Sequence, residues 1–543
     1  MDTIKDDKEI VSQVYGLFDE FRGAYASEWE RLDMCERLYM GKHWEDSDDP
    51  REPQPVTPVI QSTIENIAAD LMDNYPDAII TPEDAGGEET ERIARVVEAL
   101  IQQNHDAASY MREYRKLAHD LLTGGYMVQE VGYDPDLSNG LGGAFIRHVD
   151  ARNCMFDPLC SDIQDGRAVI KFEGLPRKIM EQRYGMIFDN DPYTPQVVQD
   201  DPSITKDATK MVLLIEYWWR EYANGRHRVH MCKVAGGQVI EDSRKSKPDG
   251  YFAHGEYPFV VTPLFLRKGS ALGWGMVDMF KDRQKVADKL DQFLLKNAYT
   301  ASRNKILVTE QSGFDETDLA DWTKDVHVGR VLDGVKWFAT PPLPDYLFAY
   351  IQNIRQGMKE ESGANDFSRG NVGGGVTAAS AISALQEMSS KRSRMAAGQM
   401  HEAYKDAVRM EIEVEREYNI LPREVVVTID GQRYRDTFES AMLQRATSLG
   451  NSVPMEFIIS IKVQRENRWS VMAQNELILQ MVQMQILRPD QAVELMHFEG
   501  KEGVLQRSQN QQGESPEEMQ QIQAEQEMMT QMQQLPAPDQ ALV

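Results

Sequence analysis

Gly363-Ala-Asn-Asp-Phe-Ser-Arg-Gly-Asn-Val-Gly-Gly-Gly-Val-Thr-Ala-Ala-Ser-Ala-Ile-Ser-Ala-Leu-Gln-Glu387 runs a glycine-rich segment straight into a helical pattern. Gly363, Gly370, Gly373, Gly374 and Gly375 come first. From about Thr377 the helical pattern continues to Glu417 before Leu421-Pro422 closes it. At 1.5 Å per residue this longest helix spans roughly 60 Å. Upstream, residues 345–361 read as helix. Residues 306–343 read as a compact module of short strands and turns, ending in Pro341-Pro342-Leu343-Pro344. Before that, 276–303 carries Val286, Leu290, Phe293, Leu294 and Ala298 at helical spacing. A small module is thus inserted between two helices, and a hinge-rich loop leads into a very long helix. Enzymes rarely need this arrangement; a helix bridging layers of a ring does.

Further toward the N-terminus, residues 6–40 repeat Val14, Phe18, Phe21, Tyr25, Trp29, Leu32 and Tyr39 at three- and four-residue steps, and Gly41 ends that helix. Residues 45–58 are acidic and hold Pro50, Pro53, Pro55 and Pro58, which reads as a loop. A helix from Val59 to about Asn74 stops before Pro76, and 90–122 gives more helix until Gly124-Gly125. From 126 to about 265 the period switches to strands. Hairpin signals stand at Asn139-Gly140 and Gly236-Gly237, and Val169–Phe172 and Val212–Trp219 read as strands. Beyond the long helix, 424–430 and 455–464 read as strands, and the tail after 469 as helix rich in Gln and Met. The fold class is α+β.

The chain has 543 residues, 41% hydrophobic and 27% charged, which suits folded domains with a sizeable core. Lys and Arg total 59 against 87 Asp and Glu, a formal net charge of -28. That balance argues against gripping nucleic acid by neutralising many phosphates, while suiting a surface past which DNA slides. Cys35, Cys154, Cys160 and Cys232 form no C-x-x-C pair, so neither a zinc site nor a disulfide scaffold is expected. The opening Met1-Asp-Thr-Ile-Lys-Asp-Asp-Lys8 does not read as a secretory signal, and no run of about 18 apolar residues predicts a membrane span.

Three readings of the glycine loop stay open. It could cradle phosphate before a helix N-terminus, but the Gly-Lys-Ser/Thr of a P-loop occurs nowhere in the chain. It could be a plain connector, with Thr377 or Ser380 capping the next helix. It could also be a moving loop facing a channel, with Gly373, Gly374 and Gly375 as hinges and Arg369 and Asn371 touching phosphates. Other motifs carry less. His227 and His230 sit three apart on a strand, hence on opposite sides, and read as solvated strand histidines. His401-Glu402 lacks the second histidine of a zincin, since position 405 is Lys. Ser302-x-x-Lys305 has none of the companions of an acylase. Asp315, Glu316, Asp318, Asp321 and Asp325 lack the calcium-loop register and read as a solvated face. Lys391-Arg392-Ser-Arg394 reads as a solvated helix face or a subunit or DNA contact. The Gln509–Gln534 tail reads as an oligomerisation helix or a disordered end. No nucleophile–base pair, metal site or cofactor motif is assembled, so no enzyme activity and no cofactor are expected.

In this order the segments resemble the portal (head-to-tail connector) proteins of tailed bacteriophages, most like those of short-tailed phages. The resemblance rests on Tyr39-x-Gly41-x-x-Trp44 before the Pro-rich loop, then Ile60–Tyr75 and Pro76-Asp-Ala-Ile-Ile-Thr-Pro82. It continues in Leu122-Thr-Gly-Gly-Tyr-Met-Val128 and Val149-Asp-Ala-Arg-Asn-Cys-Met-Phe-Asp-Pro158. It is clearest in Gly363 to Glu387, similar to a tunnel loop followed by a long wing helix.

The resemblance implies a wing over 1–265, a wing-to-stem helix over 266–304, a clip over 305–344 and a second stem helix over 345–361. A tunnel loop over 362–376, wing helix and strands over 377–468, and a helical crown over 469–543 complete it. The C-terminal region is shorter than the long barrel of some relatives, so no extended barrel is expected. Also implied are a dodecameric ring at one capsid vertex, assembled in the host cytoplasm and carried in the virion, with double-stranded DNA passing through its centre. Partners would be other copies of the chain, the large terminase subunit, head–tail adaptor and tail proteins, and major capsid and scaffolding proteins, with no membrane. Lys289, Lys296 and Arg303 would mark the stem, and Arg369, Asn371, Gly373, Gly374 and Gly375 the DNA-facing loop. A different ring-forming adaptor, or a nucleic-acid-processing enzyme, are the competing classes; the first is usually shorter, and the second needs a metal or nucleotide site.

Overall fold

The computed structural model describes residues 7–44, 52–83, 87–188, 211–223, 225–302, 305–313, 315, 329–330, 335–338, 344–362, 391–419, 421–429, 432–446, 452–463, 468–484, 487–488, 491–493 and 496. The chain divides into two compact units, Met1–Asn371 with Ser389–Gln464, and Val372–Met388 with Arg465–Val543. In the second, the described residues form chiefly one helix, Arg468–Gln483.

The first unit begins with helix α1, Asp7–Tyr39. Its apolar stripe buries Val14, Phe18, Phe21, Tyr25 and Leu32, and Phe18 meets Phe172 edge-on at 5.3 Å. Helix α2, Val59–Asp73, leads to strand β1, Pro76–Pro82. The helix expected over 90–122 is two helices, α3 (Gly87–Ala108) and α4 (Tyr110–Thr123). Ser109 between them takes a left-handed conformation, φ 54°. That turn carries Tyr110 and Tyr114 into the core, where Tyr110 stacks on Tyr404 at 5.6 Å and Tyr114 meets Tyr75 at 5.2 Å.

Strands β2 (Tyr126–Asp134) and β3 (Gly143–Val149) form the first expected hairpin, with left-handed Ser138, Asn139 and Gly140 at the turn. Strands β4 (Cys154–Phe156), β5 (Ala168–Pro176), β6 (Met211–Ala223), β7 (Arg226–Ala235) and β8 (Gln238–Asp242) make an antiparallel sheet in that order. Gly236 and Gly237, φ 55° and 72°, turn β7 into β8 as the sequence predicts. Strand β9, Phe259–Pro263, pairs with β2, and Trp218 of β6 packs edge-on against its Phe259 at 5.9 Å. The four cysteines are buried and free.

Helix α5, Met276–Ser302, matches the expected helix over 276–303. Strands β10 (Lys305–Val308) and β11 (Val335–Phe338) pair antiparallel, and helix α6 follows over Asp345–Ser362. Most of the expected module over 306–343 lies outside the described residues. Helix α7, Lys391–Tyr418, matches the later part of the helix expected over 377–417; residues 377–390 lie outside the described residues. Strands β12 (Arg423–Ile429) and β13 (Gln432–Phe438) form a ribbon, and β14 (Phe457–Val463) pairs antiparallel with β1. Strand β13 escaped the sequence reading because Asp436 falls between Tyr434 and Phe438 on the face that alternation would make apolar, in a ribbon of two strands.

Helix α7 packs Met400, Ala403, Tyr404, Ala407 and Val408 into this core. Farther along it buries two carboxylates. Glu411 pairs with His105 at 2.9 Å. Glu415 accepts from the Ala144 amide at 2.7 Å, Asn104 at 2.6 Å and Asn419 at 2.8 Å. Burial pushes the Glu415 pKa up, and those donors pull it back. Arg423 donates to Asn104 at 3.2 Å and to the Gly142 carbonyl at 3.1 Å, so α3, β3, α7 and β12 share one satisfied network. No described helix is long and apolar enough to cross a membrane.

Candidate functional site

The entry to α5 is built on glycines. A Cβ at Gly125 (φ 91°) would lie 2.2 Å from the Trp274 carbonyl carbon, and one at Gly275 would lie 2.3 Å from the Thr123 carbonyl oxygen. Two backbone segments therefore cross with no room for side chains, just after α4 and just before α5. Arg31 of α1 bridges the crossing. It bonds Asp278 at the start of α5, donates to Glu28 at 3.1 Å, and donates to the Gly124 carbonyl at 2.7 Å. Burial opposes the Arg31 charge, but Glu28 and Asp278 outweigh it and raise its pKa further.

Along α5 the buried face turns polar. Gln284, Asp288 and Gln292, spaced four apart, are buried where a core helix would carry Leu or Val. They face the segment Glu52–Pro58. Prolines 53, 55 and 58 lack N–H groups, so this backbone offers mainly carbonyls. Gln292 donates to the Pro53 carbonyl at 2.9 Å, Trp44 to Pro55 at 3.0 Å, and Gln284 to Thr57 at 2.8 Å. Alternate carbonyls of an extended strap are thus read by side chains. Asp291 and Arg355 of α6 pair at 2.5 Å, and Arg355 donates to the Thr57 hydroxyl at 3.0 Å.

His43 completes the clamp. Its Nδ1 lies 2.6 Å from Asp288 and its Nε2 2.9 Å from the Leu38 carbonyl. Both neighbours are acceptors, an arrangement that favours the doubly protonated ring. Burial pushes its pKa down, but the bond to Asp288 and the field of that carboxylate raise it overall.

The anticipated site residues separate. Lys289 is exposed and has no ion-pair partner among the described residues. Lys296 pairs with Glu52 of the strap. With Lys285 they share one face of α5 by helical spacing, and Lys296 borders the groove where Leu290, Leu294 and Asn297 meet Leu347 and Ile351 of α6. Arg303, Arg369, Asn371, Gly373, Gly374 and Gly375 lie outside the described residues, as do Glu316, Asp318, Asp321 and Asp325. His227 is exposed, but His230 is buried beside Ser243 and Trp219, which corrects its reading as solvated. The Ser302 hydroxyl is spent on the Tyr299 carbonyl at 3.0 Å, and His401 bonds the Asn74 carbonyl at 3.0 Å. A broad cleft, about 1060 Å³ between α1, α2 and α4, holds imidazole–carboxylate pairs His119–Glu36 at 3.2 Å and His148–Asp120 at 2.7 Å. Its Thr123 hydroxyl is spent on the His119 carbonyl at 2.6 Å.

Sequence reasoning missed Arg31, His43, Gln284 and Asp288. The available signal was a row of polar residues on the face of α5 that should be apolar, beside a proline-rich segment needing donors.

The site is therefore mechanical: a rigid crossing, a helix clamped by a strap, and a cationic helix face. No curated protein matches the chain. The family model for phage P22-like portal proteins matches residues 15–225 and 223–543, nearly the whole length. The chain belongs to the phage P22-like portal protein family.

Proposed function

We propose that this phage portal protein is one subunit of a closed dodecameric ring at a capsid vertex, through whose centre double-stranded DNA is packaged and later ejected. In this reading residues 1–265 and 377–468 build the wing, the helices within 266–304 and 345–361 the stem, and 305–344 the clip. Residues 362–376 are the tunnel loop and 469–543 the crown. The clip docks the large terminase subunit, whose ATPase drives packaging, and afterwards the adaptor and tail proteins. Major capsid and scaffolding proteins surround the ring.

The observation that carries this reading is the pairing of α5 and α6 around a strand module in a chain of portal family. Early α5 residues meet late α6 residues, as Arg283 and Glu361 do at 2.7 Å, so the helices run antiparallel. Lys285, Lys289 and Lys296 on the outer face of α5 suit a channel lining, in a chain whose net charge of -28 keeps DNA from sticking elsewhere. Arg303, seven residues beyond Lys296, continues that row in sequence, and Arg369 and Asn371 add transient phosphate contacts.

Negative-stain imaging with mass measurement tests the ring. Rings with an open centre are expected, and a monomer or dimer at high concentration would count against them. Replacing Arg369 and Asn371 tests the loop: unchanged length and retention of packaged DNA would remove those residues from the mechanism.

A further inference from the structure

The α5–α6 pair has two flanks, and they differ. On one, Val286 and Phe293 of α5 stand seven residues apart, 44% and 58% exposed, next to Tyr350 of α6 at 52%. Grooves of about 430 and 440 Å³ run along this flank between the helices. The other flank is covered by the strap over Gln284 and Asp291 and by His43 over Asp288. Past Glu52, the strap's first described residue, it exposes Leu295, Tyr299 and Phe348 at 37%, 58% and 53%. Helical spacing separates the two sets, because Val286 and Phe293 lie on one side of the Leu290–Leu294 line that meets α6, and Leu295 on the other.

We infer that the grooved flank of one subunit receives the Leu295–Tyr299–Phe348 edge of the next. The inference rests on the ring proposed above and names its contact. A second copy fits for three reasons. A closed ring needs two different faces on each subunit, and this pair of helices carries two different apolar faces on opposite sides. The grooved face sets Val286, Tyr350 and Ile354 among Asp282, Asn353 and the Arg283–Glu361 pair, an apolar centre with a polar rim as in a protein interface. DNA phosphates would seek cations, and of Lys285, Lys289 and Lys296 only Lys296 borders these grooves, where it is paired with Glu52.

The test uses the full chain with one flank altered at a time. Val286→Asp with Phe293→Asp blocks the groove; Leu295→Asp with Phe348→Asp blocks the edge. Serine at Phe293 and Phe348 provides a milder pair should the aspartates unfold the protein, with thermal unfolding as the folding control. Mass photometry reads the assembly. Each variant alone should lose closed rings and run as the 61.9 kDa subunit. Mixed together, they should stop at a two-subunit species, because one intact groove meets one intact edge and neither end can grow. Rings from either folded variant, beside wild-type rings, would overturn this interface and leave the ring standing. A wild type that never forms rings would overturn the ring, and the interface with it.

Discussion

Helices α1 and α5 are both long, and both pack against the same body of the protein, yet they are built inside out relative to each other. Helix α1 buries Val14, Phe18, Phe21, Tyr25 and Leu32, and none of its residues is a large exposed apolar one. Helix α5 buries Met276, Val277, Phe280 and Ala287 near its start, but its buried face then turns to Gln284, Asp288 and Gln292, and it exposes Met279, Val286, Phe293, Leu295 and Tyr299. The region around α1 is held by close packing, which needs no partner. The region around α5 packs Met276, Val277, Phe280 and Ala287 into the core at its start, is held farther along by directional bonds to a strap, and leaves apolar side chains exposed. Packing defects should therefore cost most near α1 and the crossing, and least along α5 and α6.

The largest effect is expected at the crossing. Gly275→Ala would press a methyl into the Thr123 carbonyl at 2.3 Å, where backbone cannot yield. A loss of roughly 4 kcal/mol in chemical denaturation is expected. Gly357→Ala in α6 is its counterpart, since the nearest atom to that Cβ is an Arg283 nitrogen at 3.7 Å. There, a gain of about 0.5–1 kcal/mol from helix propensity is expected. Equal losses at both sites would abolish the distinction between the regions.

Arg31→Ala comes next. Among the described residues it leaves Glu28 and Asp278 buried with Arg267 at 3.5 Å, Lys281 at 3.2 Å and the Gly275 amide at 3.3 Å to share. A loss of about 3 kcal/mol is expected, and Arg31→Lys should recover part of it, because a lysine cannot reach Glu28, Asp278 and the Gly124 carbonyl together. Full recovery by lysine would mean that charge alone, not the planar fork, holds the crossing.

This contrast also explains what could be read from the sequence. Helices α1 and α5 and the Gly236-Gly237 hairpin were legible because period and turn chemistry are local. The partner of β1 was not, since Pro76 pairs with Val463 from the far end of the unit. Nor was the break at Ser109, where burying Tyr110 and Tyr114 overrides a continuous helical pattern. Lys289, Lys296 and Arg303 were named from the sequence as stem residues, but that Lys296 is tied to Glu52 depends on where a loop 244 residues away is laid. The strap read as a loop because prolines announce the absence of regular structure and say nothing about which donors will satisfy their carbonyls.

A moderate effect is expected from His43→Gln, which removes a charged hydrogen bond worth about 2 kcal/mol. Its pH dependence carries the information. The folded pKa of His43 is raised above its ordinary 6.5, so its contribution is fully present below that value and is lost as pH rises through the folded one. His119 is raised too, first by its bond to Glu36, whereas His254 is lowered to about 4 by burial, so the wild-type curve mixes opposite slopes. Subtracting the variant's curve isolates His43. The difference should be largest in acid and shrink in alkali; a flat difference would mean that the ring is neutral and the clamp is an ordinary hydrogen bond.

The smallest stability effects belong to the outer face of α5, and there function should separate residues that stability cannot. Lys296→Ala breaks an ion pair whose two side chains are 42% and 37% exposed, which should cost under about 1 kcal/mol and less in high salt. Lys289→Ala removes no pair among the described residues and should leave stability within about 0.5 kcal/mol. If this face lines the channel, Lys289 is free to meet a phosphate, while Lys296 must first leave Glu52. DNA retention in filled heads should then respond more to Lys289→Ala than to Lys296→Ala, although the stability order is the reverse. Retention that followed stability instead would move the DNA contact away from α5, and with it the reason for three lysines on one helix face in so acidic a chain.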